Sequence, residues 1–404
     1  MASGRTRKPK TMCDVVNHLA SAGVSRRNLL TSLGVGSVAL ATSAGPASAA
    51  GSLSAERLYG PVDPGDARTR LVLLGTSGGP PYWPGEHRSG IASAVVVGDR
   101  YYLVDAGHGV IRQIRDAGLS PRSATDMDGP LDTLAGIFLT HLHSDHIVDL
   151  NNILTVGLFN GFQHVDRIPI WGPGNRGAVP ELFGPGKAPK PISPRNPTPG
   201  TKEMLELMVQ TYATDFNDRL FDNRKPAPDQ LWEAFDVPVP KQYTKDPNGN
   251  PHPAMEPFTF FEDDLIRVSA TLVDHAPVFP ALAYRFDTDD GSVVFSGDTG
   301  PSKNLIRLAR GADVLVHEVI DKAWPESLFP EPRTEAQEGL YRHLIEAHTV
   351  IEDVGGIAQE AGVGTLVLSH LVPGNRPDKV WARSGAGFDG RLVIGHDLDV
   401  IGIG

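Results

Sequence analysis

The chain of 404 residues is 40% hydrophobic and 21% charged, which supports a sizeable globular core. Its net charge of −11 argues against general nucleic-acid binding, because phosphate contact needs Lys and Arg. The one cysteine, Cys13, lies near the N-terminus, so a metal bound further along must be held by nitrogen and oxygen.

Ser25-Arg26-Arg27-Asn28-Leu29-Leu30 reads as a twin-arginine export signal. A mildly apolar run, Leu29 to Leu40, follows it, and Ala47-Ser48-Ala49 is a small-residue cleavage site. The expectation is a signal peptide over 1–49, handled by the twin-arginine machinery, and a periplasmic or extracellular domain over 50–404. Removing six basic residues and one acidic residue would take the net charge to −16. This route carries folded proteins, which suits a chain that takes up metal before export.

Leu71 to Leu74 is predicted as a strand running into the tight glycine turn Gly75-Thr76-Ser77-Gly78-Gly79-Pro80, which lacks the Gly-Lys-Ser/Thr ending of a phosphate loop. Ile91 to Val97 and Tyr101 to Val104 bracket Gly98-Asp99 as a hairpin. The second strand ends at Asp105-Ala106-Gly107-His108, where Asp105 serves as a turn former or as the orienter of a ligand histidine. A helix over 109–117 precedes the apolar run Leu134 to Leu139.

That run breaks into His141-Leu142-His143-Ser144-Asp145-His146, read as strand, ligand loop and helix start. On extended backbone His141 and His143 share a face, so both imidazoles reach one cation. Asp145 and His146 lie past the turn and suit a second cation. The pattern predicts a binuclear metal site.

Beyond it, a helix to about Leu158 and a strand, Ile168 to Trp171, are expected. Residues 172–200 turn rich in Pro and Gly, and Thr201 to Phe221 reads as one helix with an apolar stripe at spacings of three and four. We read 172–258 as an insertion that covers the metal cleft or makes a homodimer contact. Further strands deliver metal-ligand residue types at their ends: Leu265 to Val273 before Asp274-His275, Ser292 to Phe295 before Ser296-Gly297-Asp298-Thr299, Val314 to Val316 before His317-Glu318, and Thr365 to Ser369 before His370. His348-Thr349 opens a helix over 350–361, and Arg391 to Ile403 closes the chain as one or two strands. Packed sheets gather strand ends along one edge, so the repetition points to a single site.

These residues resemble the metallo-β-lactamase superfamily, in its ribonuclease Z and secreted arylsulfatase branch. The resemblance spans roughly 70–403 apart from 172–258. It implies an α/β (α+β) fold, an αββα sandwich with the metals at one edge. It implies two zinc ions per chain, one on His141, His143 and His275, the other on Asp145, His146 and His370, with Asp298 bridging. The catalytic set it implies is His348, Glu318 and Asp145. His348 would donate a proton to the leaving oxygen and Glu318 would orient it, while water acidified by the two cations would attack.

Two departures bear on substrate. Only 22 residues separate His275 from Asp298, too few for the tRNA-gripping arm that ribonuclease Z enzymes commonly carry there. The family's Asp-Cys/Ser-Gly-Glu turn appears as Asp105-Ala106-Gly107-His108. The sequence therefore points to an exported di-zinc hydrolase of small aryl or anionic esters, arylsulfatase-like, without nucleic acid as partner. The alternatives are a phosphodiesterase or ribonuclease Z-like nuclease, a lactonase or β-lactamase, and a metal-bound scaffold without turnover.

Overall fold

The computed structural model describes residues 65–404 apart from 121, 123–128, 163–165 and 183–185. The readings made for residues 1–49 lie outside the described residues. Fourteen strands occur among the described residues, in two seven-stranded sheets. The first sheet orders β14 (Val400–Ile403), β1 (Thr69–Gly75), β2 (Ala92–Val97), β3 (Arg100–Val104), β4 (Leu134–Phe138), β5 (Ile168–Gly172) and β6 (Trp232–Asp236). The second orders β13 (Arg391–Ile394), β12 (Thr365–Val372), β11 (Val314–Ile320), β10 (Ser292–Phe295), β9 (Leu282–Asp287), β8 (Arg267–Leu272) and β7 (Phe258–Glu262).

Each sheet joins an antiparallel half to a parallel half: β14 to β3 then β3 to β6, and β7 to β10 then β10 to β13. Parallel strands covered on both faces read as near-continuous apolar runs, and β12 is buried at seven of its eight positions. The facing sheets enclose one core, which includes Leu71, Tyr102, Phe138, Val268 and Tyr284. Phe138 sits at its centre, with the rings of Phe286 and Phe261 at 5.1 and 5.5 Å in edge-on contact. Each such pair is worth about 0.5–1.5 kcal/mol beyond area burial. Two further apolar clusters back the sheets under helices, one with Ile114, Ile153 and Phe162, the other with Leu305, Val354 and Trp381. The layering is αββα, as the resemblance implied.

Several boundaries differ from the sequence reading. The expected helix over 201–221 is two, α1 (Thr201–Thr211) and α2 (Ala213–Phe221), broken at Tyr212. Of its stripe only Leu205 and Phe216 are buried, while Leu207, Tyr212 and Leu220 stay exposed. The span 172–258 contains β6, which pairs in parallel with β5. This five-residue edge strand carries Glu233 and Asp236, so its apolar pattern is too short to stand out. The aromatic strand β7 was also missed. The final stretch makes two strands in different sheets.

β11 runs on through His317 and Glu318, which the sequence placed beyond its end. Its register with β12 shifts between His317 and Val319, where Glu318 faces two residues of β12, Ser369 and His370, and an extra residue of this kind re-aims side chains of the strand that carries it. β12 likewise continues past His370 to Val372.

Candidate metal centre

The carboxyl ends of the parallel strands meet along one edge, where ligands collect in open α/β sheets. β4 leads into His141 and His143, and Asp145 and His146 follow in the short helix α3 (Ser144–Ile147). β8 leads to His275, β10 to Asp298 and β12 contains His370. Two groups form. His141, His143 and His275 bring one ligand atom each to within 4.8 Å of one another, and so do Asp145, His146, Asp298 and His370. All seven expected ligands thus converge.

Asp298 lies between the groups. Its Oδ1 is 3.3 Å from His146 Nε2, and its Oδ2 is 3.3 Å from His370 Nε2 and 3.8 Å from both His141 Nε2 and His275 Nε2. The buried atoms His141 Nε2, His146 Nε2 and Asp298 Oδ1 nonetheless make no hydrogen bond. Buried polar atoms that converge unbonded on one space need an ion to satisfy them, and the nitrogen and oxygen donors fit a divalent metal.

Electrostatics agree. Burial holds the His141, His143 and His275 pKa values below the ordinary imidazole range, leaving lone pairs for a metal. Burial opposes charge on His146 as well, but Asp298, Asp105 and Asp145 outweigh it and raise its pKa. Those carboxylates demand positive charge at this spot. Burial also opposes the charge of Asp145 and Asp298, yet the surrounding histidines keep both well below the usual carboxylate range.

Hydrogen bonds orient the rings. Asp105, at φ +61°, accepts from His146 Nδ1 at 2.9 Å through Oδ2. Its Oδ1 accepts the Thr140 amide at 2.7 Å, and its Oδ2 also accepts the Thr140 hydroxyl at 2.8 Å. His275 Nδ1 donates to the Ala347 carbonyl at 2.8 Å. His370 sits at φ +52°, a conformation costly for a residue with a Cβ and typical of functional sites.

Glu318 and His348 stand beside this cluster. Glu318 Oε1 accepts from the Thr299 amide at 2.8 Å and from His348 Nδ1 at 3.0 Å. Burial opposes a proton on His348, but Glu318 prevails and raises its pKa to about 9. His348 lies in the link before the helix α4 (Ile351–Ala361), not in its first turn. The Thr349 hydroxyl pins that link by donating to the Thr299 carbonyl at 2.7 Å. The second group's ring is close too, since His348 and His370 stack at 5.9 Å.

Sequence reasoning missed the supports. The turn after β1 folds over His370, where a Cβ on Gly78 would lie 2.6 Å from His370 Nδ1. The turn is held by Asp397, which accepts from Thr76 N and the Thr76 hydroxyl with Oδ1 and from Ser89 N with Oδ2. Nothing in sequence spacing links residues 321 positions apart. Thr140, next to the motif, was findable as a Ser/Thr neighbour of a ligand loop.

The fold and this site define a metal-dependent hydrolase. Residues 88–215 match the model of the metallo-beta-lactamase superfamily. The chain is 31% identical over 332 residues to a ribonuclease Z of Mycobacterium sp. (strain KMS), covering 81% of this chain and 94% of the relative. A ribonuclease Z of Mycobacterium bovis (strain BCG / Pasteur 1173P2) is 29% identical over 334 residues, 81% of this chain and 96% of that one. Among solved structures, human tRNase Z, short form, aligns with a TM-score of 0.50 at 16% identity over 83% of this chain and 99% of that one. A metallo-beta-lactamase fold protein from Bacillus subtilis aligns at 0.50 and 17% over 82% and 98%. The chain belongs to the metallo-beta-lactamase superfamily.

Proposed function

We propose that the chain is a phosphodiester hydrolase working with two divalent metal ions. His141, His143 and His275 would hold one and Asp145, His146 and His370 the other, with Asp298 reaching both. The nitrogen and carboxylate donors, without thiolate, favour zinc among the metals common in such sites. When bound, the metals supply an acidified water and charge stabilisation at phosphorus.

The chain's own residues supply the proton. Glu318, fixed by the Thr299 amide, occupies His348 Nδ1. Nε2 is then the ring nitrogen available to protonate a departing alkoxide, a leaving group that needs an acid. This pair beside the seven converging donors is the observation that carries the reading. The ribonuclease Z relatives support a phosphodiester over the aryl sulfate expected from sequence. The short 276–297 link and the net charge of −11 favour a small diester over tRNA.

Purified, metal-loaded protein should turn over bis(p-nitrophenyl) phosphate at least about tenfold faster than p-nitrophenyl sulfate, with matched leaving groups. A faster sulfate reaction would overturn the reading.

A further inference from the structure

Beside His143 the segments 173–180 and 198–199 close with the loop after His275 into a cleft of about 240 Å³. Its walls are Leu142, Pro173, Pro180, Pro199, Val278 and Phe279, with more proline around them. Among the described residues that line it there is no carboxylate, and Arg176 is the one guanidinium. That guanidinium is buried and committed. Nη1 donates to the Ala178 carbonyl at 2.6 Å, and Nη2 to Pro247 O at 3.1 Å, Asn248 Oδ1 at 2.7 Å and Pro277 O at 3.2 Å. Arg176 therefore ties its own segment to the 247–248 stretch and to Pro277 of the loop after His275, and offers no hydrogen bond outward through these nitrogens.

We infer that this cleft binds the uncharged, ring-sized group that stays on phosphorus during the reaction, so that the enzyme selects diesters with an apolar retained substituent. The inference rests on the phosphodiester reading above. Three observations carry it. His143 belongs to both the cleft and the first donor group, so a ligand at the metals reaches the cleft directly. Neither Glu318 nor His348 lines it, so it lies away from the group that His348 protonates. Its surface is largely apolar and the Arg176 Nη atoms are bound to carbonyls and Asn248, so a ring gains by leaving water while a second phosphate meets no free Nη donor. Proline walls and the Arg176 tie keep the shape fixed before binding, which limits the entropy lost.

The test compares phenyl and methyl p-nitrophenyl phosphate, which share a leaving group and differ only in the retained one. Phenyl should win by roughly 10–100-fold in kcat/KM, chiefly through KM, the worth of removing a ring's surface from water. Pro180 is exposed, so Pro180→Asp should fold and keep its metals. It should cut the phenyl advantage at least about fivefold, whereas Pro180→Ala should keep the phenyl-to-methyl ratio near wild type. Binding of phenylphosphonate against methylphosphonate by calorimetry gives the same comparison without turnover. If no diester is hydrolysed yet phenylphosphonate binds better and Pro180→Asp abolishes that preference, the cleft stands and the phosphodiester reading fails. Equal phenyl and methyl values, or a preference untouched by both Pro180→Asp and Val278→Asp, overturn the cleft.

Discussion

His348 Nδ1 lies 3.0 Å from Glu318 Oε1, and the same oxygen accepts the Thr299 amide one residue beyond Asp298. Glu318 and His348 are thus tied to the segment that carries Asp298.

Replacing His348 by Ala should keep the metals and lower the rate about 10²–10⁴-fold for diesters with alkoxide leaving groups, the usual worth of a positioned acid. The defect should shrink for p-nitrophenol, which departs without a proton. Glu318→Gln should follow the same trend more weakly. Metal analysis and a leaving-group series check this, and loss of metal from His348→Ala would make the residue a ligand.

Asp298 lies within 3.8 Å of Nε2 of His141, His146, His275 and His370, so it faces both sets of expected ligands. Asp298→Ala should lower metal content further than His141→Ala or His275→Ala, starting from two ions per chain in the wild type. Elemental analysis of the purified proteins decides, and one ion or none in active wild type would remove the two-metal reading.

Asp105 orients His146 through the 2.9 Å hydrogen bond to Nδ1. Asp105→Asn should weaken metal binding about 10–100-fold, the range for a lost orienter, while thermal stability of the metal-free protein changes less. Chelator competition measures the first and calorimetry the second. Unchanged affinity would make Asp105 only a turn former.

Gly78→Ala should disturb the second group alone. The new methyl would meet His370 Nδ1 and Val372 Cγ2 at 2.6 Å each, and real side chains never approach so closely. His370 must shift, so one ion should bind weakly and the other normally in a metal titration. Two unaltered affinities would show that the turn yields instead.

We also propose export on the strength of Arg26-Arg27. Lys-Lys at these positions should retain the precursor inside the cell, and cell fractionation reads the outcome. Unchanged export would show that the segment is no twin-arginine signal.

Much of the site was legible because its ligands cluster in sequence or end apolar runs. His141, His143, Asp145 and His146 fall within six residues, and the strand-end rule found His275, Asp298 and His370 separately. Two apolar runs bracketing Gly98-Asp99 likewise gave the hairpin of β2 and β3. Periodicity failed where tertiary partners decide. β6 is too short and charged to declare itself, and it becomes a strand because the edge of β5 offers a ladder. The single helix expected over 201–221 breaks at Tyr212, with Leu205 and Phe216 buried in the core and Met204 and Met208 packed half-buried against it.

By itself the sequence determined the chemistry: nitrogen and oxygen donors, two groups of them, a histidine with a nearby glutamate, and layered sheets to carry them. The donors follow from residue types at the ends of apolar runs, while the pairing of His348 with Glu318 and the layered sheets are what the family resemblance implied. The tertiary structure alone decided orientation and surroundings. The extra residue of β12 falls at Ser369 and His370 opposite Glu318, Asp397 reaches across 321 positions to hold the turn over His370, and Arg176 gathers carbonyls of distant segments beside the cleft. Such contacts join residues far apart in the chain, and no local pattern encodes which distant partner a side chain will meet once the sheets pack.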